Sequence, residues 1–284
     1  MDKYLILQAD DFGYNEAQNA AVSELLEDGL ITSASVLAPA PGAEGAAEFL
    51  KRKNLSAGVH WALTTDGGRQ TWQSLSRSPS FENGLPHEGK KLTFGARRRD
   101  VRAELEAQYD FLASRGIAVD HADSHSGALY GINLRRFYID AFDICARRSL
   151  PYRFPKSPGF LSAQLGRPAP SAIVSVQKRI VSLGEARGVL MPDELFTNPQ
   201  SVNDIGGIDS LRKYYLSVIE NVPQGVSELF LHPALPYEGA EPSWQKRVWE
   251  YEILKSGCLV EKAKALDVKL ISWARFGEMG RQNK

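Results

Sequence analysis

The 284 residues are 43% hydrophobic and 24% charged, and 34 Lys plus Arg balance 34 Asp plus Glu to a formal net charge of zero. That balance supplies neither the basic excess expected of a nucleic-acid binder nor an acidic solvating tail. Two cysteines, Cys145 and Cys258, are too few for a disulfide framework, and no run of 18 apolar residues is present to span a membrane.

Tyr4–Leu7 is a short apolar run rich in β-formers and reads as a buried strand. Asp10 and Asp11 follow it, and Ala17 to Leu26 then repeats at helical spacing. Strand-like Ile31–Val36, helical Ala43–Lys53 and strand-like Ser56–Trp61 continue the alternation. Residues 66–96 interrupt it with Gly, Ser, Pro and scattered aromatics, which suits a rim or lid over a site. Arg98–Arg115 is helical, with Val101, Leu105, Tyr109 and Leu112 in phase and Gly116 ending it. Val119 to His125 reads as a strand with a polar end, and Leu134–Arg148 as a helix. Prolines bound an extended piece at Pro151–Pro155, and Ser157–Pro170 reads as loop. Helical Ala172–Leu183 precedes a weak strand at Gly188–Met191, then helical Ile208–Asn221 and a strong strand at Ser227–Leu231. Helices at Trp244–Leu254 and Leu259–Leu266 lead to a last strand, Val268–Ser272. Repeated βα units predict an α/β fold: a single-domain (β/α) barrel-like structure over residues 1–284, with seven or eight mostly parallel strands. An open doubly wound sheet is the alternative, weakened by the absence of G-x-G-x-x-G after the first strand.

Asp10 and Asp11, His60, Asp123 and His125, and His232 each fall at the C-terminal end of a predicted strand. In a parallel barrel those ends converge on one face. One Asp with two His and open positions is a usual set for a catalytic divalent ion. Two adjacent carboxylates also need a compensating cation in a dry cleft. His87 lies in the polar loop, His121 reads as structural or supporting, and Asp123 could orient a ligand histidine or close a turn.

Several stretches together resemble the YdjC-like carbohydrate deacetylases, the family of chitooligosaccharide deacetylase. They are ADDFGYN at 9–15, TSASVLAP at 32–39, GVHWALT at 58–64, HADSH at 121–125, YRFP at 152–155, ELFLHPA at 228–234 and KLISWARF at 269–276. The resemblance implies a barrel-like fold that removes acetyl groups from N-acetylated sugars with one divalent metal, Zn or Mg. It implies metal ligands at Asp11, His60 and His125, a general base at Asp10 and a general acid at His232. Arg153 and Asp193 fall where the family has polar pocket residues. Trp61, Tyr130, Trp72, Tyr237 and Trp244 are aromatic candidates for the sugar. Gly127, Ala234 and Trp61 depart from the family pattern beside the expected pocket. The partner expected is a small N-acetylated saccharide, with no nucleic acid and no membrane; homodimerisation is left open. The N-terminus has no signal-peptide pattern, and the cytoplasm is the expected location. A metal-dependent phosphoesterase or other amidohydrolase, or a non-catalytic sugar-binding relative, are the competing readings.

Overall fold

The computed structural model describes residues 2–65, 72–86, 89–131 and 135–282. Parts of the expected lid (66–71 and 87–88, with His87) and the start of the helix expected from Leu134 lie outside these residues. The chain runs β1 (Lys3–Phe12), α1 (Glu16–Glu27), β2 (Ser33–Val36), α2 (Ala43–Lys53) and β3 (Ala57–Trp61). Next come α3 (Gly89–Gly95), α4 (Arg98–Ala113), β4 (Val119–Ser124), α5 (Tyr138–Arg148), α6 (Pro158–Leu165), α7 (Ser171–Glu185) and β5 (Glu194–Phe196). The last part holds α8 (Val202–Ile205), α9 (Ile208–Glu220), β6 (Gly225–Leu231), α10 (Gln245–Lys255), α11 (Cys258–Ala265), β7 (Val268–Leu270) and α12 (Trp273–Gln282). No described helix is long and apolar enough to cross a membrane.

All seven described strands pair in parallel, in the order β4-β3-β2-β1-β6-β5, and β7 joins β1. One edge of β1 is shared: Lys3–Leu5 pairs with β7, and Gln8–Phe12 with β2. The sheet curls. Residues 151–153 exchange backbone bonds with Ala122 of β4, and the Tyr152 amide donates to the Leu190 carbonyl, just before β5. Segment 151–153 thus extends the β4 edge toward the chain leading into β5, and the sheet forms a curled, half-barrel wall, the barrel-like architecture expected from the repeated βα units.

The alternation of side chains along each strand decides what lies inside. Leu5, Leu7 and Ala9 join the main core, whereas Ile6 packs with Val226, Trp273 and Phe276. On the same parity as Ile6, Gln8 meets His121 at 3.2 Å and Asp10 meets Arg153. The interior is thus layered: an apolar floor, a buried polar tier, and an ionic tier above. His121 stacks on Trp273, with ring centroids 4.5 Å apart and planes 8° apart. That stack requires Gly58, because a Cβ there would sit 2.3 Å from the His121 ring. Gly58→Ala is expected to destabilise the fold by about 1–3 kcal/mol, the scale of overpacking. Urea unfolding checks this, and the cost should shrink in a His121→Ala background if the ring is what the methyl meets.

Three local expectations are corrected. β1 runs on past Leu7 to Phe12, because β2 keeps pairing with it through a register shift between Ala9 and Phe12. Residues 157–170 hold a helix, α6; Ser157 caps it by accepting from the Gly159 amide, with Pro158 leading the first turn. The strand expected at Gly188–Met191 forms at Glu194–Phe196 instead, where β6 offers its free edge.

Candidate metal centre and its cleft

In a regular strand Asp10 and Asp11 would face opposite sides. The register shift prevents that: Asp11 adopts φ 61°, the left-handed region that Asp tolerates better than most residues. Both carboxylates are therefore available to the same end of the barrel. The N-terminus of α1 begins immediately beyond, where the Asn15 side chain accepts from the Gln18 amide.

Asp11 Oδ1 lies 3.1 Å from His60 Nε2 and 3.1 Å from His125 Nδ1, and the two nitrogens are 3.3 Å apart. All three residues are buried. Two imidazole nitrogens and a carboxylate oxygen this close repel unless a proton or cation lies among them. Their spacing matches neighbouring donors on a metal with bonds of about 2.0–2.2 Å. The donor set of two imidazoles and a carboxylate fits a divalent transition ion. A second group, Asp10, His60 and Asp123, is also within reach of a common centre. Its carboxylates are already taken, Asp10 by Arg153 and Asp123 by His60 Nδ1 and Ser35. The first group is therefore the better ion site.

Neighbours fix the orientation of His60 and Asp11. His60 Nδ1 faces Asp123 Oδ1 at 2.7 Å, and the Ser35 hydroxyl donates to Asp123 Oδ2 at 2.8 Å. This pairing turns His60 Nε2 toward Asp11, the role outer carboxylates play for ligand histidines. Burial alone would lower the His60 pKa, but Asp123 and the bond to Asp11 outweigh it and hold the ring well above its ordinary value. Burial likewise opposes ionisation of Asp11, yet Arg247 and His125 keep it well below the usual carboxylate range. Arg247 donates to the other Asp11 oxygen at 2.8 Å and to Gln18 at 2.9 Å.

Asp10 accepts from both terminal nitrogens of Arg153, at 2.6 and 2.7 Å. Arg153 also donates twice to Glu228, at 2.9 and 2.7 Å, and lies 3.2 Å from Asp123. The Trp273 indole donates to Glu228 from below at 3.1 Å. His232 Nε2 stands 3.9 Å from Asp10 Oδ2, and Glu250 anchors the His232 backbone amide at 2.7 Å. Burial lowers the His232 pKa; Asp11 and Asp10 pull it back up, and Arg247 adds to the fall.

One cleft of about 1050 Å³ takes in Asp10, Asp11, His60, His125, Arg153, Tyr130 and His232. Arg153 is only 1% exposed, and its donors are engaged by carboxylates rather than presented at the mouth. Tyr130 lines the cleft edge-on to Phe154. Trp61 lies elsewhere: it is fully buried, and its indole donates to the Leu105 carbonyl. Trp72, from the expected lid, packs edge-on against His125 at 5.2 Å. Trp244 lies under Arg247 and against the exposed ring of Tyr237. Asp193 is at the far end of the barrel, beside Gly225 and Val226 and paired with Lys156. Arg247, Ser35, Glu228 and Glu250 are site residues that sequence reasoning did not single out. Strand parity carries the signal for two of them, since Ser35 and Glu228 each fall in phase with an interior residue on β2 or β6.

A family model described as YdjC-like protein matches residues 4–265. A carbohydrate deacetylase of Geobacillus stearothermophilus is 30% identical, over 97% of this chain and 99% of its own. A chitooligosaccharide deacetylase of Proteus mirabilis is 38% identical over 44% of this chain and 49% of its own. Among solved structures, an Enterococcus faecalis protein described as a cellobiose-phosphate cleavage protein superposes with a TM-score of 0.73 at 24% identity. It covers 96% of this chain and 98% of its own, and supports the fold alone.

Proposed function

The chain belongs to the YdjC-like protein family, and from that membership we propose that its cleft hydrolyses the N-acetyl group of an amino sugar. The observation that carries this reading is one pairing: Asp10 and His232, 3.9 Å apart, beside the Asp11, His60 and His125 donors in one cleft. A binding protein has no need of an acid/base pair at a metal site.

Asp11, His60 and His125 would hold a divalent ion, which when bound supplies Lewis acidity toward an amide carbonyl and makes water more acidic. Asp10 is the group that takes the proton of the attacking water. Arg153 holds both of its oxygens in place, and each keeps a second lone pair for the proton. His232 faces Asp10 from across the cleft and donates a proton to the departing nitrogen. Without that proton the amine would have to leave as an anion. Asp123 and Ser35 hold His60 in register throughout, and Arg247 does the same for Asp11.

The test is acetate release from a panel of N-acetylated sugars. Acetate should appear with metal-loaded protein, disappear with chelator and return when Zn²⁺ or Mg²⁺ is added back. Release of no acetate from any member, under any of these ions, would defeat the reading.

A further inference from the structure

The cleft extends well past the reacting groups. Its volume of about 1050 Å³ is at the upper end of the roughly 300–1,000 Å³ usual for small-molecule sites. From His232 an apolar path leads away. Phe230 lies against His232 with centroids 6.1 Å apart, and Phe160 of α6 lies against Phe230, also at 6.1 Å. Beyond Phe160 the wall is mostly aliphatic: Leu161 and Leu165 from α6, then Ile173, Val176 and Ile180 from α7, with Gln164 and Gln177 beside them, the Gln177 amide nitrogen donating to the Pro155 and Ser157 carbonyls. The α7 residues recur at helical spacing, so one face of that helix is turned to the cleft.

This wall is unusual on the protein's own surface. Seven large hydrophobic side chains are exposed among the described residues, and three of them are here: Leu165 at 45%, Ile173 at 44% and Val176 at 54%. Grouped exposed apolar side chains mark a binding surface rather than ordinary scatter. A sugar ring does not account for them. Its rim is hydroxyl, and its faces suit flat aromatic rings, whereas branched aliphatic side chains offer neither stacking nor hydrogen bonds. The wall is continuous with the reacting groups inside one cavity, within reach of a group attached to the substrate.

We propose that this cleft takes an amphipathic substrate: an N-acylated amino sugar that carries an apolar chain, with the chain lying along α6 and α7. The proposal rests on the deacetylase reading for its sugar end and on the α6–α7 wall for its apolar end. The chain could belong to the glycosidic substituent or to the acyl group itself, and the experiment has an arm for each.

Binding is measured by calorimetry on metal-loaded protein with octyl and methyl β-glucosaminide, and with N-octyl-glucosamine against N-methyl-glucosamine, none of which carries an acyl group to lose. The octyl ligands are used below their micellar concentration. At least one octyl ligand is expected to bind tenfold or more tightly than its short counterpart. The double variant Ile173→Ser, Val176→Ser should lose most of that gain and leave the short ligands unchanged. Acetate release from octyl and methyl N-acetylglucosaminides, measured in parallel, should show the same bias in kcat/KM. An octyl preference in binding without any acetate release would sink the deacetylase reading and leave the apolar subsite standing. Equal binding of long and short ligands, or an octyl preference that survives the double variant, would overturn the subsite. So would a dimer that dissociates in the double variant with octyl affinity unchanged, since the wall would then be a subunit interface.

Discussion

His60→Ala and His125→Ala should each abolish the divalent-ion binding proposed for this centre and with it acetate release. Each removes one of three side-chain donors that lie 3.1–3.3 Å from one another. The loss in ion affinity should exceed the roughly 10- to 100-fold typical of removing a residue that merely orients a ligand. Asp123→Asn supplies that comparison within the same site. It takes the charge from the partner of His60 Nδ1 but leaves all three donors in place, so its affinity loss should fall inside the 10- to 100-fold range. Elemental analysis of purified variants and titration against a competing chelator read both effects. Undiminished ion content in His60→Ala and His125→Ala would remove these residues from the centre.

The second large effect separates the two proton-transfer groups. Asp10→Asn and His232→Ala should both keep the ion, because neither belongs to the favoured donor set. Both should lose amide hydrolysis by about 10²–10⁴-fold, the usual scale for general acid–base groups. An acetyl ester with a good leaving group tells them apart. As the proposed acid, His232 serves the departing nitrogen, so His232→Ala should retain much of its esterase activity. As the proposed base, Asp10 serves the attacking water, so Asp10→Asn should lose ester and amide cleavage together. The pH dependence carries a sign as well. Burial holds His232 below the ordinary value of about 6.5, and a histidine is charged only below its pKa. Amide cleavage should therefore decline as pH rises through that lowered value, and the decline should be absent from the residual activity of His232→Ala. Equal losses on ester and amide in that variant would end the acid role. Loss of the ion in Asp10→Asn would make Asp10 a ligand.

Much of this arrangement was legible because strand ends are easy to find. Apolar runs at β1, β3 and β6 end in Asp10–Asp11, His60 and His232, and a parallel barrel gathers such ends on one face. What the strand ends do not reveal is parity. That Asp11 shares a face with Asp10 depends on a backbone turn at φ 61°, and nothing in local propensity announces that register shift. Ser35 and Glu228 lie within stretches that carried the resemblance, but their use follows from which side of the barrel wall they occupy. Arg247 comes from a helix and reaches Asp11 across 236 positions of sequence, a contact only tertiary packing determines. Trp61 shows the converse. Its neighbour His60 faces inward, so alternation sends Trp61 outward into the helical layer, where Leu105 takes its indole hydrogen. Arg153 has the chemistry of a substrate clamp and lines the cleft, and with Asp10, Glu228 and Asp123 around it the guanidinium also compensates buried charge.

The stacked His121 and Trp273, with Ile6 and Val226 beside the indole, close the barrel's lower end, and all four are at most 6% exposed. A chamber shut at the bottom is open, among the described residues, on the side of the strand ends, where the α6–α7 wall also stands. Whatever fragment forms deepest, against Asp11 and the two histidines, lies behind whatever still rests along the outer helices. In the proposed reaction the fragment along the outer helices would step out before the deeper one could follow, so turnover would include an order of departure set by the architecture rather than by the strength of any one contact.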